Sequence, residues 1–172
     1  NSGPTTNSTV WSASKRELLH ALAVEDSLPG WNGAILIGLV RPQEGAGLLP
    51  VLWPLVETQR EYETTPPPNA KTPPPPSKTS LKFQAAAAEA CGRILALHPE
   101  SPAGEDVDKL RALLNTENLP DLVHVELLLA AGKCLPPRDI PNLSKLLGLE
   151  KKPAEQAKPI PRTVRRAALQ AC

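Results

Sequence analysis

Three histidines and three cysteines are the residues of this chain best suited to chemistry: His20, His98 and His124, and Cys91, Cys134 and Cys172. A cysteine beside a histidine makes an activated nucleophile, and clusters of the two hold transition metals. The spacing supports neither. There is no C-x-x-C or H-x-x-x-H pair, and the histidines fall in separate predicted helices or helix ends. Cys91 lies on the packing face of its predicted helix, where a small apolar thiol is the ordinary occupant. His98 at a helix C-terminus is a favourable partner of the helix dipole.

The one acid–histidine cluster is Asp121, His124 and Glu126. Asp121 and His124 share a helix face, so the carboxylate can orient the imidazole as a general base. No serine or cysteine accompanies them at a strained turn, and Asp121 is already accounted for as an acid at a helix N-terminus. Gly45-Ala-Gly-Leu-Leu-Pro is followed by no Lys-Ser/Thr and opens no helix, so it is not a phosphate loop. The carboxylates are spread singly, without the pairing that glycosidic hydrolysis uses. The sequence predicts no catalytic residue, no metal site and no cofactor. The rival reading is a small enzyme or ligand-binding domain centred on His124.

The elements that would position these residues divide at a proline strip. Residues 64–79, TTPPPNAKTPPPPSKT, hold seven prolines and no large apolar side chain. Proline lacks the amide hydrogen and fixes φ, so this strip cannot be a helix interior or a central strand. It is expected to run extended, as a semi-rigid spacer or a docking strip. Pro73-x-x-Pro76-x-Lys78 matches the register read by SH3 domains, although proline-rich linkers often match it by chance.

Before the strip, residues 1–63 are expected to be an irregular docking segment. Residues 1–11 read as a polar arm, and Ser12 or Ser14 caps a short helix over 15–24 with Leu18, Leu19 and Leu22 on one face. Leu28-Pro29-Gly30 ends it. The run WNGAILIGLV at 31–40 reads as a strand or extended buried segment. Residues 48–56 are apolar but carry Pro50 and Pro54, which exclude a regular central strand and predict irregular coil. Trp11, Trp31 and Trp53 are the candidate anchors of this apolar arm on neighbouring chains.

Residues 80–150 read as a four-helix module. Ser80 caps a helix over 81–97, whose alanines at 85–88 leave a flat face for a close neighbour. Ser101-Pro102 opens a second helix with the stripe Val107, Leu110, Leu113 and Leu114. A third helix over 122–131, apolar nearly all round, is the expected centre of the module, with Gly132 as its stop. Asp139 is expected to cap a fourth over 140–147. The short turns predict antiparallel neighbours, a mainly α fold of hairpin or solenoid-like type. Arg93–Pro99, RILALHP, resembles the end of the second helix of a tetratricopeptide repeat. The resemblance covers those residues only; the aromatic and glycine positions of the next helix are missing, and no period of about 34 residues recurs.

Charge is uneven. Lys and Arg against Asp and Glu give −3 for 1–63, −3 for 80–150 and +5 for the tail 151–172. The tail reads as a charged linker over 151–161 and one last short basic helix over 163–171. With Lys151, Lys152, Lys158, Arg162, Arg165 and Arg166 it is expected to be solvated or to meet an acidic protein surface or a polyanion such as RNA or anionic lipid. No aromatic residue interleaves with it, which argues against base stacking. The longest nearly apolar run is too short to cross a bilayer. Methionine is absent, even at position 1, which suggests a processed chain or part of a longer one, and the first residues lack the pattern of a signal peptide. Widely spaced cysteines, odd in number, form no disulfide framework and fit a reducing intracellular compartment: cytoplasm, cytoskeleton or organelle matrix. The sequons at Asn7 and Asn142 are chance occurrences. These readings together predict a non-catalytic structural or scaffold subunit of a larger protein assembly. The alternative is an adaptor that uses the proline strip and basic tail.

Overall fold

The computed structural model describes residues 13–97, 103–147, 149 and 159–172. Within them the chain is mainly α-helical. It runs α1 (Ala13–Ala23), α2 (Leu28–Val40), two 3-10 turns (Pro42–Glu44 and Ala46–Leu48), α3 (Leu49–Glu57), β1 (Glu61–Tyr62), β2 (Ser77–Lys78), α4 (Leu81–Leu97), α5 (Ala103–Leu114) and α6 (Asp121–Cys134). A 3-10 turn (Pro137–Asp139), α7 (Leu143–Leu146) and α8 (Arg162–Gln170) complete it. No helix of the described residues is long and apolar enough to cross a membrane.

The stretches expected as extended or irregular are helices, and the cause lies in how their prolines are used. Ser27 is an N-cap, its Oγ accepting from the Gly30 N–H at 3.2 Å, and Pro29 sits in the first turn of α2. A proline there loses no intrahelical bond and has the helical φ already set, so Leu28-Pro29-Gly30 opens a helix instead of ending one. Pro50 plays the same part in α3, and Pro54 inside it forfeits one ladder bond in a helix of only 9 residues.

With these two helices formed, much of the apolar surface of residues 28–57 is buried within the chain, Trp31, Ala34, Ile35, Leu48, Leu49, Leu52, Trp53, Leu55 and Val56 included, while Leu36 and Val40 stay exposed. Leu48, Leu52, Leu55 and Val56 join one continuous core with Ala87, Ala88, Cys91 and Ile94 of α4 and with Val123, Leu127 and Leu128 of α6. α4 is the hub, packed against α2, α3 and α6. Its alanine face works as its composition requires, and two glycines bring the axes closer still. A Cβ on Gly38 of α2 would stand 2.7 Å from the Ala90 Cβ, and one on Gly92 of α4 would stand 2.6 Å from the Ala130 Cβ. Gln84, itself buried, donates from Nε2 to the Val56 carbonyl at 2.7 Å and so satisfies an orphan carbonyl at the end of α3.

The proline strip therefore does not separate two cores. α4 begins as expected, with the Ser80 Oγ accepting from the Phe83 N–H at 3.2 Å. The expected stop at His98-Pro99 and start at Ser101-Pro102 lie outside the described residues. Gly132 does not end α6, which continues to Cys134. The fourth helix of the module is shorter than the periodicity suggested. Pro141 disfavours helical backbone at Ile140, which is extended (φ −81°, ψ 117°), and Asn142 enters α7 in the left-handed region (φ 55°). The short basic helix expected over 163–171 is present as α8, and it is not left free in solvent. α8 packs on α6 and α7, with Val164, Ala167, Ala168 and Ala171 in the core.

Candidate functional site

His124 stands in the first turn of α6, beside a cleft of about 260 Å³ lined by Thr116, Asn118, Asp121, Pro161 and Val164 among others. Its Nε2 is buried without a hydrogen-bond partner. Burial lowers its pKa from the ordinary value of 6.5, and the nearby Asp121 carboxylate opposes that shift. The lining brings no serine or cysteine to the imidazole. Cys91 is fully buried in the core, where burial first, and then Asp106, raise its thiol well above the ordinary range. Burial likewise raises Cys134, which is half-buried. His20 lines a groove between α1 and α2, and His98 lies outside the described residues. Among the described residues no group of three or more His, Cys, Asp or Glu gathers in metal-binding geometry.

Two of the three candidate tryptophan anchors are interior. Trp31 is 4% exposed; its Nε1 donates to Asp26 Oδ1 at 3.0 Å, and the Arg60 guanidinium stands over its ring at 5.9 Å. Trp53 is 5% exposed and donates to Asp106 Oδ1 at 2.8 Å. Both rings are thus covered by their own chain, and neither is free to anchor a partner. The reason is the helical state of residues 28–57, which lets them bury their own apolar surface. Trp11 lies outside the described residues.

The proline strip is different: it is exposed and held at its base. β1 and β2 pair antiparallel, Glu61 opposite Lys78 and Tyr62 opposite Ser77. Below this ladder the Arg60 N–H donates to Thr79 Oγ1 at 3.0 Å, and the Thr79 N–H donates to the Arg60 carbonyl at 2.7 Å. Gln59 Nε2 donates to the Thr79 carbonyl at 2.7 Å, and Thr79 is buried. Farther out, Thr64 Oγ1 donates to the Pro75 carbonyl at 3.3 Å, and the Ala70 N–H closes a turn on the Pro67 carbonyl at 2.9 Å. The result is a hairpin that projects from the helical body between α3 and α4.

Of its prolines only Pro74 is half-buried; Pro66, Pro67, Pro68, Pro73, Pro75 and Pro76 are exposed. In an extended proline helix with three residues per turn, positions i and i+3 share an edge, so Pro73 and Pro76 form one exposed edge of the strip. Lys78, exposed on β2, lies 3.4 Å from Glu61 Oε1. At the root of the hairpin a cleft of about 510 Å³ is lined by Pro29, Trp31, Arg60 and Tyr62 among others, and the Arg60 Nε in it is buried without a partner. The fixing residues Gln59 and Thr79 escape a sequence reading, because two-residue strands carry no alternation. Polar residues bracketing the proline run are the one signal that could have shown them.

Arg162, Arg165 and Arg166 lie exposed on α8. Lys151, Lys152 and Lys158 lie outside the described residues. No family model matches the chain, and no match to it emerges among curated proteins or solved structures.

Proposed function

We propose that this chain is a non-catalytic docking subunit of a larger protein assembly, a helical body that presents a proline hairpin to a partner protein. The observation that carries the reading is the fixing of Arg60 to Thr79 by reciprocal hydrogen bonds at 3.0 and 2.7 Å, which leaves Pro73 and Pro76 exposed beyond it. An extended proline segment already has little conformational entropy to lose, and pinning both its ends lowers that cost further. The complementary partner is a groove of aromatic side chains, as in SH3 or WW domains. Compared with the sequence expectation, the docking element moves from the apolar arm to the strip, because Trp31 and Trp53 are occupied internally. A reducing intracellular compartment fits the three free thiols, one of which is buried in the core.

The test is titration of the full chain against a panel of purified SH3 and WW domains, followed by fluorescence anisotropy. Saturable binding by one class is expected, weakened at least about tenfold by the Pro73→Ala/Pro76→Ala double variant. The free 64–79 peptide should bind more weakly than the full chain. No saturable binding across the panel, or binding indifferent to the double variant, overturns the reading.

A further inference from the structure

α8 carries a face that no described part of the chain uses. Arg162, Arg165, Arg166 and Leu169 fall at i, i+3, i+4 and i+7, one stripe along the helix. All four are exposed, Leu169 to 62%. None of the three guanidinium groups forms a hydrogen bond or ion pair with a described residue. The opposite face, Val164, Ala167, Ala168 and Ala171, is buried. Gly132 approaches Ala171 so closely that α8 is seated against the backbone of α6, and the arginines stand on a fixed ridge.

The stripe is electrostatically unfavourable to its own helix. Arg162 occupies the first turn, where the dipole disfavours a cation, that turn holds no acid, and the arginines one turn apart repel. An anionic ligand would relieve both effects. Three classes could supply it, and the packing separates them. An amphipathic helix enters a bilayer through its apolar face, and here that face is buried in the core. Single-stranded nucleic acid is held by aromatic side chains that stack the bases, and the stripe has none. A protein segment with carboxylates at helical spacing meets the arginines by bidentate pairing, and an apolar side chain one turn further covers Leu169.

We propose that the Arg162–Arg165–Arg166–Leu169 stripe docks an acidic, helical segment of a partner protein, with carboxylates at i, i+3 and i+4 and an apolar residue after them. This surface is separate from the proline hairpin and stands whether or not the hairpin binds. The test uses the full chain and a labelled helical peptide with glutamates at i, i+3 and i+4 and a leucine one turn on. A scrambled peptide of the same composition, oligo-uridine RNA and phosphatidylserine vesicles are run beside it. The patterned peptide should bind best, more weakly as salt rises, and lose at least about tenfold in affinity with Arg165→Ala/Arg166→Ala. Leu169→Ala should lower affinity without changing the salt dependence. Both variants alter exposed side chains, and unchanged helicity and melting confirm that they fold. Equal binding of patterned and scrambled peptides, tighter binding to RNA or vesicles, or indifference to the arginine variant overturns the proposal.

Discussion

Gly132 of α6 lies against Ala171 at the end of α8, so close that a Cβ on the glycine would stand 2.5 Å from the Ala171 Cα and 3.0 Å from its Cβ. The atom met first is backbone, which cannot swing aside as a side-chain tip would. Gly132→Ala should therefore push α8 off its seat and lower stability by about 1–3 kcal/mol. Truncation before Arg162 should do at least as much, since it strips Val164 and Ala168 from the core. Gly104, with nothing within 4 Å of its Cβ position, is the control, and Gly104→Ala in the first turn of α5 should be neutral or stabilising by up to about 1 kcal/mol. Urea denaturation reads all three. An unchanged midpoint for Gly132→Ala would show that α8 is not held there.

Trp53 and Asp106 join α3 to α5 through the 2.8 Å indole–carboxylate bond. Asp106→Ala leaves a buried indole N–H without its acceptor and should cost about 1–3 kcal/mol. Trp53→Phe removes the donor together with part of the ring. The double variant should cost less than the sum, with a coupling of at least about 0.5 kcal/mol in a double-mutant cycle. Strict additivity would mean that the bond contributes nothing to holding α5 on α3.

How much of this was legible in the sequence depends on whether local signals agreed. Ser80 and the alanine-rich run after it fix α4 correctly, because cap, propensity and apolar face point the same way. At Ser27-Leu-Pro-Gly the same proline is a stop for the preceding helix or a first-turn residue of the next, and periodicity alone cannot choose. Packing does, by bonding the Trp31 indole N–H to Asp26 and seating Gly38 against Ala90. The exposed edge of Pro73 and Pro76 follows from the register of the strip. Its fixing by Gln59 and Thr79 is a tertiary contact with no sequence period behind it. The arginine stripe was visible as charge, but its rigidity depends on a helix–helix approach at Gly132 that only the fold reveals.

The three thiols should react in order of exposure. Cys172 is exposed, Cys134 half-buried, and Cys91 buried within the core with its pKa well raised. The thiolate is the reactive form, so both burial and the raised pKa protect Cys91. Under native conditions an aromatic disulfide reagent should label Cys172 first, Cys134 more slowly and Cys91 only after denaturant is added. Rapid native labelling of Cys91 would contradict the packing of α4 against its neighbours.

His124 should make the fold sensitive to acid. Its Nε2 is buried without a partner, and burial lowers its pKa from 6.5, Asp121 only partly opposing. Between the lowered value and 6.5 the unfolded chain binds a proton at this site that the folded chain refuses. Stability from the neutral imidazole is therefore fully present above about 6.5 and is lost as pH falls through the window below it. Glu126 acts in the other direction: burial first, and then Glu89, raise its carboxyl above the ordinary 4.5, so its contribution is greatest at low pH and is lost as pH rises through the folded value. Urea midpoints should accordingly decline from neutrality toward pH 5. His124→Gln, which cannot take up a proton, should flatten that decline. Glu126→Gln, which removes that opposing contribution, should raise the midpoint at pH 7 and leave the decline at least as steep. Because Ile160, Pro161 and Val164 share the cleft with His124, the loss at acid pH should reach α8, and its amide protons should show smaller protection factors at pH 5 than at pH 7, once the slower intrinsic exchange at acid pH is allowed for. A decline that persists unchanged in His124→Gln would assign the acid sensitivity to another group and leave the imidazole a neutral spectator.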